Sequence, residues 1–352
     1  MSEGFYVSVS RESARKAAIN ADQVEADAIR QGNSPLAGCL TDDTIAYDRL
    51  PEEYDAATNP NGNPEWAEDD NARETAVGET ITEVERRIEL LGQRYPFDLS
   101  PNKSLLTHKP ERALSGVYEF CLSFSVTLQD LSANPACQAV REFERLVGRL
   151  LKSFLHGEHT EFYRSGAPAD GDRPTTMTAM LIDLNAKTNG EWQFSPPVGS
   201  AAQAEQGDDA IDVVVWKPFG NLDRRIGKLF LLTQCACGDD SYWFGKRKEL
   251  SPEGFQKTWA GTISFGGVLR SLATPRHVPH DAIWREGTSD GGILLDRVRL
   301  TWMGETCLDQ DEQLICKKRL DGYTNKLMQK PQVRVTLGGV QPAKGKPKRR
   351  KR

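Results

Sequence analysis

Apolar positions along this chain fall into two kinds of stretch, one spaced for helices and one continuous as in buried strands. Residues 10–30 are rich in Ala, Arg, Glu and Asp and predict a helix with few large apolar side chains. In ETITEVERRIELLG (79–92), Ile81, Val84, Ile88 and Leu91 recur at helical spacing and Gly92 suits the C-terminal stop. The clearest helix is CQAVREFERLVGRLLKSFL (137–155). There Ala139, Phe143, Leu146, Val147, Leu150, Leu151 and Phe154 form one stripe, with Glu144 at its edge. HTEFYRSG (159–166) predicts a short strand, and Met177, Met180, Leu181 and Leu184 a further amphipathic helix within 175–191. Ile211 to Trp216 and Leu229 to Cys235 are continuous apolar runs of strand length. The Gly-, Pro- and charge-rich KPFGNLDRRIGK between them predicts a hairpin connection. For Gly292 to Leu300 the pattern allows strand or helix.

Composition changes the picture through charge. The 352 residues sum to a formal -5, but residues 317–352 hold 13 Lys/Arg against the single acid Asp321. The preceding residues therefore carry -17 and the terminal segment +12. Residues 41–75, centred on TNPNGNPEWAEDD, read as an acidic exposed linker. At the end, KGKPKRRKR (344–352) has seven basic residues in nine and no apolar face. Lys344, Lys346, Lys348, Arg349, Arg350, Lys351 and Arg352 are thus expected to attract nucleic-acid phosphates in a salt-dependent way. A tail that only solubilises, or that folds onto an acidic surface, is the alternative. No run approaches a membrane span and the first residues lack an apolar leader segment, so a cytoplasmic protein without membrane contact is expected.

The seven cysteines are scattered, which suits reduced thiols better than a disulfide framework. Cys235 and Cys237 form the one close pair, and His277 and His280 in HVPH would complete four zinc ligands. Their single-residue spacing fits two small buried side chains at a strand end better than a zinc site.

Two strands carry a polar residue where chemistry would need one. Asp212 heads the first, and Gln234 closes the second. In a hairpin these two oxygen donors reach the same end of a sheet, and hard oxygens suit Mg²⁺ with several waters retained. Glu144 would supply a third oxygen if its helix crosses the sheet. A helix bearing Glu, then a strand, a strand opened by Asp, and a strand ended by Gln-X-Ala resembles the PD-(D/E)XK nuclease superfamily, over roughly residues 137–260. The resemblance implies an α/β fold of the restriction-endonuclease-like kind, a mixed central sheet flanked by helices. It implies Asp212 and Gln234 as ligands of Mg²⁺, or Mn²⁺, and Glu144 as an auxiliary one. Ala236 stands where the family carries its lysine; Lys246, in SYWFGKRK, is the natural substitute and Lys217 another. Trp243, Trp259 and the His277, His280, Asp281 group read as structural.

The expected organisation is an acidic helical accessory region at 1–110, a nuclease domain at 111–320 and a basic disordered tail at 321–352. The expected activity is Mg²⁺-dependent hydrolysis of DNA phosphodiesters, as a nuclease or nuclease subunit in restriction or anti-phage defence. Protein partner subunits or a homodimer fit that setting. The alternatives are a catalytically inactive nuclease-like subunit that binds nucleic acid or acts as an adaptor in a multi-protein complex, and an unrelated α+β interaction protein.

Overall fold

The computed structural model describes residues 10–38, 65–128, 133–156, 159–166, 171, 174, 176–191, 210–218, 227–238, 245–246, 248–252, 255 and 268–329. The basic residues at 344–352 and most of the acidic stretch at 41–75 lie outside these. Helix α1 (Arg11–Gln31) begins where the Ser10 hydroxyl accepts from the Ser13 N–H, and ends at Gly32 in left-handed backbone. Strand β1 (Asn33–Pro35), helix α2 (Glu65–Leu91) and strands β2 (Phe97–Leu99) and β3 (Leu105–His108) follow. The three strands form an antiparallel sheet in the order β1-β3-β2, so the N-terminal region is not purely helical as its composition suggested. Ala21, Val24, Ala28, Val84, Leu91 and Leu106 pack beneath it.

Helix α3 (Val117–Thr127) is apolar around most of its circumference, and a helix of that kind is buried on all sides. It joins two cores: Tyr118 and Leu122 face the N-terminal layer, while Phe120 and Phe124 face the main body. Helix α4 (Ala133–Leu155), strand β4 (Glu161–Arg164) and helix α5 (Met177–Lys187) come next. Strands β5 (Val213–Lys217), β6 (Leu229–Cys235) and β7 (Val268–Ala273) then precede helix α6 (Asp281–Gly291), strand β8 (Ile293–Leu295), helix α7 (Arg297–Thr306) and helix α8 (Gln310–Met328).

The main sheet has the order β4-β5-β6-β7-β8. Its first three strands run antiparallel, with Val213 opposite Thr233, while β6–β7 and β7–β8 are parallel. Alternate residues of β5 and β6 face opposite layers. Val213, Val215 and Leu231 meet Phe143, Leu146, Val147 and Leu150 of α4. Val214, Trp216, Phe230 and Leu232 meet Met177, Met180, Leu181 and Leu184 of α5. Burial on both faces explains why these strands read as unbroken apolar runs.

The ambiguous stretch after Gly292 is both strand and helix. Gly292 has φ +79°, and a Cβ there would lie 2.2 Å from the Arg270 carbonyl oxygen, so only glycine fits between α6 and β8. Asp296 then ends the strand and caps α7 by accepting from the Arg299 N–H at 3.0 Å. Helix α8 opens with a reciprocal Asp309–Glu312 capping box. It runs to Met328 with Leu320, Thr324 and Leu327 buried, so residues 321–328 are packed helix and do not belong to a basic tail. The chain is mixed α/β, and among the described residues no helix is long and apolar enough to cross a membrane.

Candidate functional site

The site predicted from sequence sits where β5 begins and β6 ends. Antiparallel pairing puts these two chain positions side by side, so Asp212 and Gln234 share one end of the sheet. Asp212 is 9% exposed and binds three strands together. Its N–H donates to the Thr233 carbonyl at 3.0 Å, and its carbonyl accepts from the N–H groups of Ser165 and Gly166 at 2.8 and 3.0 Å. Its carboxylate Oδ2 accepts from the Cys235 N–H at 2.6 Å. A charged acceptor on a backbone N–H makes a strong bond and fixes the carboxylate at the strand end.

Gln234 shares the α5 face with Phe230 and Leu232. Its Nε2 donates to Glu249 Oε2 at 3.1 Å. Lys246 Nζ donates to the same oxygen at 2.5 Å. The lysine singled out as a substitute for the missing one at Ala236 therefore shares a carboxylate oxygen with Gln234. Glu249 was missed by the sequence reading; its three-residue spacing from Lys246 on a helical turn was the available signal. The amide oxygen Gln234 Oε1 is buried and has no hydrogen-bond partner among the described residues. Leaving a buried oxygen unpartnered is costly.

Glu144 reaches the Asp212 strand end from the other side of the sheet. It lies on α4, against the opposite face of the sheet, 2% exposed. Its Oε2 accepts from Arg164 Nε at 2.6 Å. Gly166 leaves it room, since a Cβ there would lie 2.6 Å from the same oxygen. The helical stripe showed which side of α4 faces the core but not which face of the sheet it meets; α4 crosses the sheet as expected, with Glu144 on the face opposite Gln234. Lys217 leaves the site: at the far end of β5 its Nζ donates to the carbonyls of Leu155 and His156.

Cys235 and Cys237 adjoin Asp212 and Glu144. Burial, reinforced by these two carboxylates, raises both thiols well above their ordinary range. Burial thus favours the protonated thiol at both positions. His277 is engaged on both ring nitrogens. His277 Nδ1 is 3.0 Å from Asp296 Oδ2, and its Nε2 lies 3.0 Å from Glu83 Oε1 in an ion-pair contact without hydrogen-bond alignment.

Among the described residues no group of three or more His, Cys, Asp or Glu side chains is placed to hold a metal ion. What fits a divalent ion is a smaller set. One carboxylate from Asp212 and one unpartnered amide oxygen from Gln234 at a shared strand end suit Mg²⁺, which keeps most of its waters. The basic residues at 344–352, and Trp243 and Trp259, fall outside the described residues. No family model, no curated protein and no solved structure matches this chain.

Proposed function

We propose that the chain is a Mg²⁺- or Mn²⁺-dependent nuclease that hydrolyses DNA phosphodiester bonds on a restriction-endonuclease-like core. The observation that carries this reading is the meeting of Gln234 and Lys246 on Glu249 Oε2, beside Asp212, at the end of β6. The element order supports it: a helix, a strand, a second helix, two strands that extend the antiparallel sheet, then a strand parallel to the last of these. Asp212 and Gln234 would hold the ion, which supplies a Lewis acid for the phosphate and lowers the pKa of a bound water. Lys246 offsets the charge that develops on the phosphoryl oxygens. Glu249 holds the Lys246 ammonium in place until substrate phosphate competes for it. The -17 body repels DNA, so recruitment falls to the basic segment at 344–352 and approach to these local cations.

Incubation of the protein with plasmid DNA and Mg²⁺ or Mn²⁺ tests the reading. Wild-type protein should nick or cut. Asp212→Asn and Lys246→Ala should each slow cleavage by about 100-fold or more. Gln234→Glu, which restores the commoner carboxylate, should retain activity. Undiminished cleavage by the first two variants would remove the assignment.

A second reading has its own support. Ala236 replaces the family's lysine, and Arg164 already neutralises Glu144. A silent nuclease-like subunit, binding DNA or a protein partner as an adaptor, would bind without metal-dependent cleavage.

A further inference from the structure

A cavity of about 510 Å³ opens at the outer edge of the main sheet, around β4, which has a strand neighbour on one side only among the described residues. The geometry points to a binding site for a nucleotide phosphate there, distinct from the end of β6. The lining brings Arg145 and Arg149 from α4, Arg164 from β4 and Lys187 from the end of α5 around one space, with Glu161 as its lone acid.

The ion pairs behind this lining differ in closeness. Glu142 lies 3.7 Å from Arg145 and 3.6 Å from Arg149, beyond hydrogen-bond range. Its close partner is Arg319, whose Nε and Nη2 sit 2.5 and 2.6 Å from its two oxygens. Lys187 is 3.8 Å from Asp183, whose other oxygen accepts from the Tyr163 hydroxyl. Arg164 is matched closely by Glu144, and Glu161 by Lys152 at 3.0 Å. Of the lining cations, Arg149 and Lys187 are the accessible ones, with 34% and 50% of their side-chain surface exposed, and each lies 3.6–3.8 Å from its carboxylate.

Loose pairing at partly exposed sites means that an incoming dianion displaces weak contacts rather than strong ones. Arginine presents a planar fork of donors that matches phosphate oxygens, and lysine adds a point charge. Phe162 on the α4 face, and Tyr163 and Trp216 on the α5 face, add aromatic surface to the lining beside the cations. Inorganic anions need only the charges; a phosphate carried on a planar base uses both. The volume lies in the range of small-molecule sites, about 300–1,000 Å³. None of these residues is Asp212, Gln234, Lys246 or Glu249, so the inference does not depend on hydrolysis.

Calorimetric titration of the full chain, with chelator and about 150 mM salt to screen exposed charges, tests it. Adenosine triphosphate is one probe and a 5′-phosphorylated single-stranded oligonucleotide the other. At least one should bind, and the double variant Arg149→Ala, Lys187→Ala should weaken it by about tenfold or more. The charge-conserving pair Arg149→Lys, Lys187→Arg should keep most of the affinity and the wild-type melting temperature. A response to the triphosphate alone identifies a free nucleotide as ligand, and a response to the oligonucleotide alone identifies the phosphate end of a strand. Binding of neither probe, or equal affinity in the double alanine variant, overturns the site.

Discussion

Arg87 and Leu232 are both buried, yet they hold their surroundings together by different physics. Leu232 sits in the sheet among Val214, Trp216 and Met180, where each contact is weak, undirected and replaceable. Arg87 sits between α1 and α2 with no exposed side-chain surface and three carboxylates on it. Its Nη1 is 2.8 Å from both Asp22 Oδ1 and Glu25 Oε1, and its Nε is 2.8 Å from Glu83 Oε1. The hydroxyls of Tyr95 and Tyr118 donate to Glu25 at 2.6 and 2.8 Å. The network continues into the main body through Arg297, which bonds Asp22, and through His277 between Glu83 and Asp296. The large sheet is therefore built on apolar area, and the N-terminal layer is docked onto it by buried charge. Charge gives direction and register, but it fails abruptly when one member is lost.

The largest expected effect follows from that abruptness. Arg87→Met keeps the volume but leaves Glu25 buried without its counter-charge and Glu83 with His277 as its remaining close one. It should lower the unfolding free energy by about 3–5 kcal/mol, read as a shift in denaturant midpoint. A loss below about 1 kcal/mol, the level of an exposed pair, would mean that the layer is held mainly by its apolar contacts.

The second effect is a pH window. Burial disfavours the charge on Glu83, but His277 and Arg87 outweigh it and bring the carboxyl down to about 2. Burial likewise opposes the charge on His277, but Glu83 and the bond to Asp296 outweigh it and raise the imidazole. For Glu83, whose folded value is depressed, the stabilisation is full above its ordinary 4.5 and is lost as pH falls through about 2. For His277, whose folded value is raised, it is full below the ordinary 6.5 and is lost as pH rises through the higher folded value. The Glu83 arm is worth about 3 kcal/mol at one pKa unit per 1.36 kcal/mol. Docking should thus be tightest between about pH 4.5 and 6.5. Burial opposes the charge on both Asp296 and Arg87. His277 and two backbone N–H groups nevertheless lower Asp296, while Glu25, Asp22 and Glu83 raise Arg87, so neither titrates inside that window. Thermal unfolding across pH should show the window, and His277→Gln should flatten its alkaline side. An unchanged alkaline slope in that variant would assign the dependence to another group.

The same contrast explains which features could be read from sequence. Apolar area leaves a local trace: the stripe from Phe143 to Phe154 and the runs at 211–216 and 229–235 predicted α4, β5 and β6, and the linker predicted their antiparallel pairing. Asp212 and Gln234 were legible because hairpin geometry alone puts them at one end. Charge pairing leaves no such trace. Glu25 and Arg87 are 62 positions apart, and nothing near either names the other. The Glu144–Arg164 pair is a related case, because the sheet face that a helix meets is a long-range fact. Strand β7 was missed because Arg270 and Ser271 interrupt its apolar run and only its last three residues are buried. Helix α8 did carry a readable capping box, but the charge of the residues beyond it drew attention to the tail.

The smallest expected effect isolates what burial adds to these ion pairs. Arg11 of α1 and Glu286 of α6 link the same two bodies as Arg297 and Asp22 do, at 3.2 Å, but with side chains 48% and 44% exposed. Water already solvates both groups when they part, and holding two long side chains in one geometry costs entropy that offsets most of the attraction. Arg11→Ala should change the unfolding free energy by less than about 0.5 kcal/mol, and that change should disappear in high salt. A salt-resistant loss comparable to that of Arg87→Met would show that docking depends on this rim contact. The distinction between a buried charged interface and an ordinary charged surface would then no longer describe how the N-terminal layer is held.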